Sequence, residues 1–305
     1  MAPDFWLAVY YLPVDSQGLI LAALVVAGWS FPGVFVRLMP QLNPWTIAIF
    51  RLSLGFAFTA PVVFSRRYRA EFFRAVKLPV CWGIASFMFA YYLMATAAFQ
   101  NAPVGEVALL IASAPALALP LRLAFGSRPT GREMLGTGLA LAGVACVLSP
   151  GGKHGVYANP YLGPGFALIA AFCAAAFAIG VRRLTDSGRP SNPLALSTIA
   201  LAMGVVALPI AVRMTPVNQI ADHRTWWALP LGLFSTAIPT AGYAGVAGRL
   251  PPVVATMLNP LVAVSATVVA AFAIGELPRI SVVPGAALII AGIYVSTRSE
   301  RPERT

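Results

Sequence analysis

Two ionisable residues stand where charge is costly. Arg51 interrupts the apolar run Pro44–Phe64, and Glu106 opens the run Val104–Phe125. A charge within hydrocarbon costs at least ~2.5 kcal/mol on insertion scales and tends to face a partner or an aqueous cavity. Arg51 is expected about seven residues, or ~10 Å, inside the end of its helix. Glu106 is expected at similar depth, where the two can pair. A pair that breaks and re-forms can serve a gate, and Glu106 alone can take up a proton. The competing reading is that both snorkel to the interface without a transport role.

The second signal is aromatic. Met88, Tyr92 and Phe99 recur at helical spacing with Tyr91 alongside. At comparable depth other runs offer Trp29, Ser113, Phe177, Tyr243 and Asn259. Together they would line an apolar cavity with a few hydrogen-bonding groups, suited to a solute with an apolar body and a polar end. Their rings can also attract a cation. For each residue alone, core packing or lipid contact is the competing reading. Enzyme constellations are missing: there is no His-Glu-x-x-His, no Gly-x-Ser-x-Gly and no phosphate loop. Cys81, Cys146 and Cys173 are scattered, and His154 and His223 fall in connections. The expectation is a non-enzyme with no cofactor and no metal.

The elements that must position these residues follow from composition. Of 305 residues, 59% are apolar and 10% charged, with mean hydropathy +0.79. Soluble domains carry roughly 25% charged residues, so a soluble enzyme is excluded, and disorder with it. Ten runs approach the length needed to cross a bilayer: Gly18–Val36, Pro44–Phe64, Leu78–Phe99, Val104–Phe125, Leu135–Ser149, Leu162–Val181, Pro193–Val212, Trp226–Ala247, Pro252–Ile274 and Ser281–Thr297. They are solidly apolar, without the alternation of barrel strands. The fold class expected is an all-α polytopic membrane protein with ten transmembrane helices.

Charge sets the orientation. One set of alternate connections holds fifteen Lys and Arg, with Arg122 counted at the end of the fourth run, and the other five, which leaves Arg51 deep inside a span. Cytoplasmic loops carry the positive excess, so both termini are expected in the cytoplasm. Cations divided among short loops form no continuous footprint, which argues against nucleic acid. Residues 1–17, with Phe5-Trp6 and Tyr10-Tyr11, read as a cytoplasmic or interfacial segment, and residues 298–305 as a basic cytoplasmic tail.

The halves repeat at an offset of 145 to 149 residues. Gly18–Arg37 matches Gly163–Arg182, Asn43-Pro44 matches Asn192-Pro193, and Gly55 falls on Gly204. Pro103-Val104 matches Pro252-Val253, Ala114-Pro115 falls on Asn259-Pro260, and Gly136 and Gly143 fall on Gly285 and Gly292. Two five-helix units are expected at 18–150 and 162–297, joined by a periplasmic linker at 151–161. An odd number of spans inverts the second copy, the architecture that underlies alternating access around a midplane site. Breaks are expected at Pro32, Pro115, Pro239, Asn259-Pro260 and Pro284. The small residues of the fifth and tenth helices read as packing or dimer surfaces, hence a monomer or weak homodimer.

Trp29-Ser30-Phe31 with Val36-Arg37, Phe50-Arg51-Leu52, Ala114-Pro115, and Gly275-Glu276-Leu277 leading to Gly285 and Ala291-Gly292 resemble the EamA-type repeats of the drug/metabolite transporter superfamily. The resemblance is nearest to ten-helix bacterial exporters of aromatic amino acids and other metabolites. It implies an inner-membrane carrier exporting amino acids or related small amphipathic metabolites. A multidrug, quaternary-cation or nucleotide-sugar carrier is the alternative within the superfamily, and an intramembrane enzyme or scaffold the alternative outside it. Two departures stand out: Arg37 replaces a frequent Lys, and Ser127 stands where the second repeat has Glu276.

Overall fold

The structure, a computed structural model, describes residues 16–66, 68–124, 130–148, 161–247, 252–278 and 282–297. The aromatic pairs before residue 16, Ser127, the linker residues around His154 and the tail from Arg298 lie outside the described residues.

Apolar runs in lipid must satisfy their own backbone, which leaves them helical. The helices are α1 (Ser16–Ser30, resumed as Pro32–Arg37), α2 (Pro44–Val63), α3 (Pro79–Asn101) and α4 (Val104–Ala112, then Ala114–Ala124). There follow α5 (Gly131–Leu148), α6 (Leu162–Asp186), α7 (Pro193–Met214) and α8, which joins Ala228–Gly232 to Ile238–Ala247 through a π-turn at Leu233–Ala237. The last two are α9 (Pro252–Ile274) and α10 (Val282–Thr297). Among the described residues, seven helices are long and apolar enough to cross a membrane, and Leu258–Ile274 and Val282–Ser296 are shorter apolar helices.

Local chemistry sets the ends. Asn43 and Asn192 cap α2 and α7 identically, each side-chain oxygen accepting a backbone N–H at 2.9 Å ahead of a proline at the first helical position. Thr130 and Glu133 exchange hydrogen bonds in a capping box, so α5 starts at Gly131, ahead of the expected Leu135. Gly188 ends α6 at φ +66, with the Arg189 N–H on the Leu184 carbonyl, beyond the expected Val181. Of the expected breaks, α1 is interrupted at Phe31 before Pro32, and α4 at Ser113 before Pro115. Instead of breaking, α9 runs on through Pro260, and Pro284 sits in the first turn of α10, where a missing N–H costs nothing.

The matched helices of the two halves meet antiparallel, through reciprocal contacts. A Cβ on Gly204 would lie 2.3 Å from the Leu52 Cβ, and one on Gly55 would lie 3.3 Å from Leu201. Leu52 and Leu201 are themselves matched positions. In α5 and α10, Gly136 meets Gly292 and Gly143 meets Gly285, each against the other's backbone. These glycine faces are therefore engaged with each other. Between the halves, α3 packs on α6 while α1 packs on α8, and α4 packs on α9 with Gly105 against Thr267. The reciprocity defines two inverted five-helix repeats about a pseudo-twofold axis.

Candidate functional site

One face of α8 collects the strongest sequence signals. Thr236, Thr240 and Tyr243 recur at spacings of four and three, so they share that face. Arg51 from α2 donates through Nε to Thr236 Oγ1 at 2.8 Å and through Nη2 to the Ser235 carbonyl at 3.4 Å. Tyr92 from α3 lies under the guanidinium at 4.8 Å, with its hydroxyl 3.4 Å from Thr240 Oγ1. Trp29 from α1 meets Tyr243 at a centroid distance of 5.5 Å. Tyr91 stands edge-on to Tyr92 at 5.3 Å.

The break in α8 makes this possible. Pro239 has no N–H, so the Ser235 carbonyl four residues earlier is denied its helical donor and is left to accept from Arg51. The Thr236 hydroxyl donates back to the Leu231 carbonyl at 2.9 Å, which leaves its lone pair for Arg51. Close approach needs small neighbours. A Cβ on Gly28 of α1 would lie 2.6 Å from the Phe234 carbonyl, and one on Gly55 of α2 would lie 2.9 Å from Thr236. Arg51 is 3% exposed. Its hydrogen bonds and ring contact together offset the cost of burial, a charged hydrogen bond contributing ~1.5–3 kcal/mol and a desolvated cation–π contact ~2 kcal/mol.

The other expected residues lie elsewhere. Phe99 packs on Gly33 in the core toward the Arg37 end of the bundle. Phe177, on α6, is buried against α3; Met88 is partly buried against that cluster and is the exception among these residues in also packing on the one that holds Tyr92 and Leu52. Ser113 is buried and donates to the Leu110 carbonyl at 2.6 Å. Asn259 is exposed on α9. Glu106 is 4% exposed in the first turn of α4, and the contacts of Arg51 run to α3 and α8 rather than to Glu106. The expected Arg51–Glu106 pair is thus replaced, because α8 presents acceptors to Arg51 directly. Ser235, Thr236 and Thr240 escaped the sequence reading. The spacing of Thr236, Thr240 and Tyr243 in an apolar helix was the available signal.

A different pair closes one end of the seam. Arg37, ending α1, reaches Glu276 beyond α9 at 3.3 Å and donates to the carbonyls of Gln100 and Ala102 at the end of α3. Glu276 also accepts the Val104 N–H at the start of α4, at 2.9 Å. Gly275, at φ +69, ends α9 and turns Glu276 back toward it. Gln100 ties the same end to the Leu42 carbonyl, and Thr46 of α2 meets Thr215 after α7 at 2.7 Å. A cavity of about 830 Å³ opens between α2 of the first repeat and α7 and α8 of the second. Phe50, Leu54, Leu208, Val212 and Trp226 line it, with none of the nine expected binding residues in its wall.

Apolar helices in inverted repeats, with a buried polar strip between them, mark a multi-pass membrane protein. The chain belongs to the EamA-like transporter family, whose profile matches residues 16–149 and again 161–298. It is 27% identical over 289 residues to an uncharacterized transporter of Archaeoglobus fulgidus, covering 93% of this chain and 96% of that one. It is also 27% identical over 296 residues to a "probable terminal-alkyne amino-acid exporter" of Streptantibioticus cattleyicolor, covering 93% and 94%. A crystal structure of a protein 18% identical shares the fold, with a TM-score of 0.61 over 94% of this chain and 99% of its own.

Proposed function

We propose that the protein exports aromatic and other neutral amino acids, with related small amphipathic metabolites, across a bacterial inner membrane by alternating access. The observation that carries this reading is the closure of an inverted-repeat seam at one end by Arg37 and Glu276, one contributed by each repeat. Rocking one repeat against the other must part such a pair. The excess of Lys and Arg on the opposite connections supports a periplasmic position for the Arg37 end. In the first repeat the position that matches Glu276 is Ser127.

In this reading Trp29, Tyr91, Tyr92 and Tyr243 form the wall met by the solute's apolar body. Met88, Phe99, Ser113, Phe177 and Asn259 are reached as the helices move, and Glu106 is the proton carrier. The amino-acid class is supported by the printed name of the Streptantibioticus relative. The test is reconstitution of the full chain in sealed vesicles with labelled Phe, Thr and Met. Equilibration faster than in empty vesicles is the expected result, and no uptake across a broad solute panel overturns the reading.

A further inference from the structure

Among the described residues, the buried cation Arg51 meets no carboxylate. Arg51 holds its charge between α2, α3 and α8 with one hydroxyl, one carbonyl and one ring as partners, and no carboxylate among them. Its fork has five N–H donors, of which Nε and Nη2 are engaged, while Nη1 makes no hydrogen bond. In the same turn, Ser235 is 0% exposed and its hydroxyl has no hydrogen-bond partner. A buried hydroxyl without a partner beside a guanidinium is rare and calls for an explanation. The segment that bears them is a π-turn, a feature frequent at functional sites.

We propose that Arg51, braced on Tyr92 and on the α8 break, is the anchor for the carboxylate of the transported solute. The proposal rests on the transport reading above and adds the solute group that the site recognises. Neutral acceptors only partly compensate a buried guanidinium, whereas a carboxylate matches its planar fork with two parallel hydrogen bonds. The bracing is fixed from behind. Thr236 accepts from Nε, and Gly55 and Gly28 let α2 and α1 close on the bulge. The Tyr92 ring covers one face of the guanidinium and belongs to the aromatic wall, so an apolar solute body lies beside the anchor. The same arrangement disfavours cations without an acid group, which would meet Arg51 as a like charge.

The test compares amino acids with their carboxamides, which keep the shape and lose the anion. In vesicles holding the full-length protein, L-phenylalanine, L-methionine and L-threonine are expected to be moved at least about tenfold more efficiently than their amides, the loss expected for a bond to a charged group. Arg51→Gln is expected to bring the ratio of acid to amide transport down to about one, whatever the overall rate of the variant. Arg51→Lys, which keeps the charge and loses the fork, is expected to fall between. Equal rates for acids and amides in the wild type overturn the anchor, as does a preference that survives in Arg51→Gln, or a folded Arg51→Gln that loses both classes equally. The wild-type comparison and the Lys variant decide the matter even where the Gln variant fails to fold. Wild-type vesicles that move neither acids nor amides overturn the transport reading and the anchor with it, whereas movement of both without preference overturns the anchor alone.

Discussion

Arg37 Nη2 stands 3.3 Å from Glu276 Oε1 and 2.7 Å from the Ala102 carbonyl, so one guanidinium joins the ends of α1, α3 and α9. Because Glu276 also accepts from Val104, the start of α4 is held by the same pair. Both side chains are less than a third exposed, so solvent screens the pair incompletely.

Loss of Arg37 should open this end. Arg37→Ala removes the ion pair and two carbonyl contacts at once, worth together about 1–3 kcal/mol, or roughly fivefold or more in the open population. Arg37→Lys keeps the charge without the fork and should fall between. A cysteine placed at Leu42 and labelled with a membrane-impermeant maleimide reads the opening; unchanged labelling in Arg37→Ala would show that the pair holds nothing shut.

At the α8 break, Thr236→Val is expected to destabilise the protein by about 1.5–3 kcal/mol, since it deprives a buried guanidinium of its nearest acceptor. Thr236→Ser keeps the hydroxyl and should lose about 1 kcal/mol or less, the cost of the methyl that packs on Gly55. Thermal unfolding in detergent separates the two, and equal losses would mean that the hydroxyl contributes nothing.

Glycines of α5 divide sharply. A Cβ on Gly136 would lie 2.2 Å from Ser296 Oγ and 2.5 Å from the Gly292 carbonyl, whereas one on Gly138 meets nothing within 4 Å. Gly136→Ala should therefore cost about 1–3 kcal/mol through overpacking, while Gly138→Ala should gain about 0.5–1 kcal/mol from the loss of glycine's backbone entropy. Opposite shifts in melting temperature are the signature.

The matched caps invite a symmetric comparison. Asn43→Ala and Asn192→Ala each remove one hydrogen bond of 2.9 Å at a helix start, with an expected cost of about 1 kcal/mol apiece. The sites lie on different helices, so the double variant should show the sum. A large departure from additivity would indicate that the caps are coupled through the seam.

Glu106 is tested by pH. If its carboxyl carries the coupling proton, Glu106→Gln should abolish the acceleration of transport by an imposed proton gradient while leaving exchange of solute on both sides intact. A variant that responds to the gradient like the wild type removes Glu106 from that role.

Much of the fold is legible along the chain because it is set by local quantities. Hydropathy gives the spans, Asn-Pro and Thr-x-x-Glu give helix starts, and the offset of matched residues gives the repeat, whose odd number of spans forces the inversion. Depth is local as well: at 1.5 Å per residue, the position of Arg51 in α2 fixes how far it lies inside its helix. Rotation about the helix axis is not local. Whether Arg51 turns to Glu106 or to Thr236 depends on which helix packs against α2, and on a π-turn that shifts the face of α8 after Gly232. The same limit applies to the aromatic stripe of α3: Tyr92 reaches α8, while Phe99, two turns on, packs on Gly33. Residue type and spacing therefore determined which segments are helical and how deep Arg51 lies, and only the packing of the helices decided which side chains are buried and which of them touch.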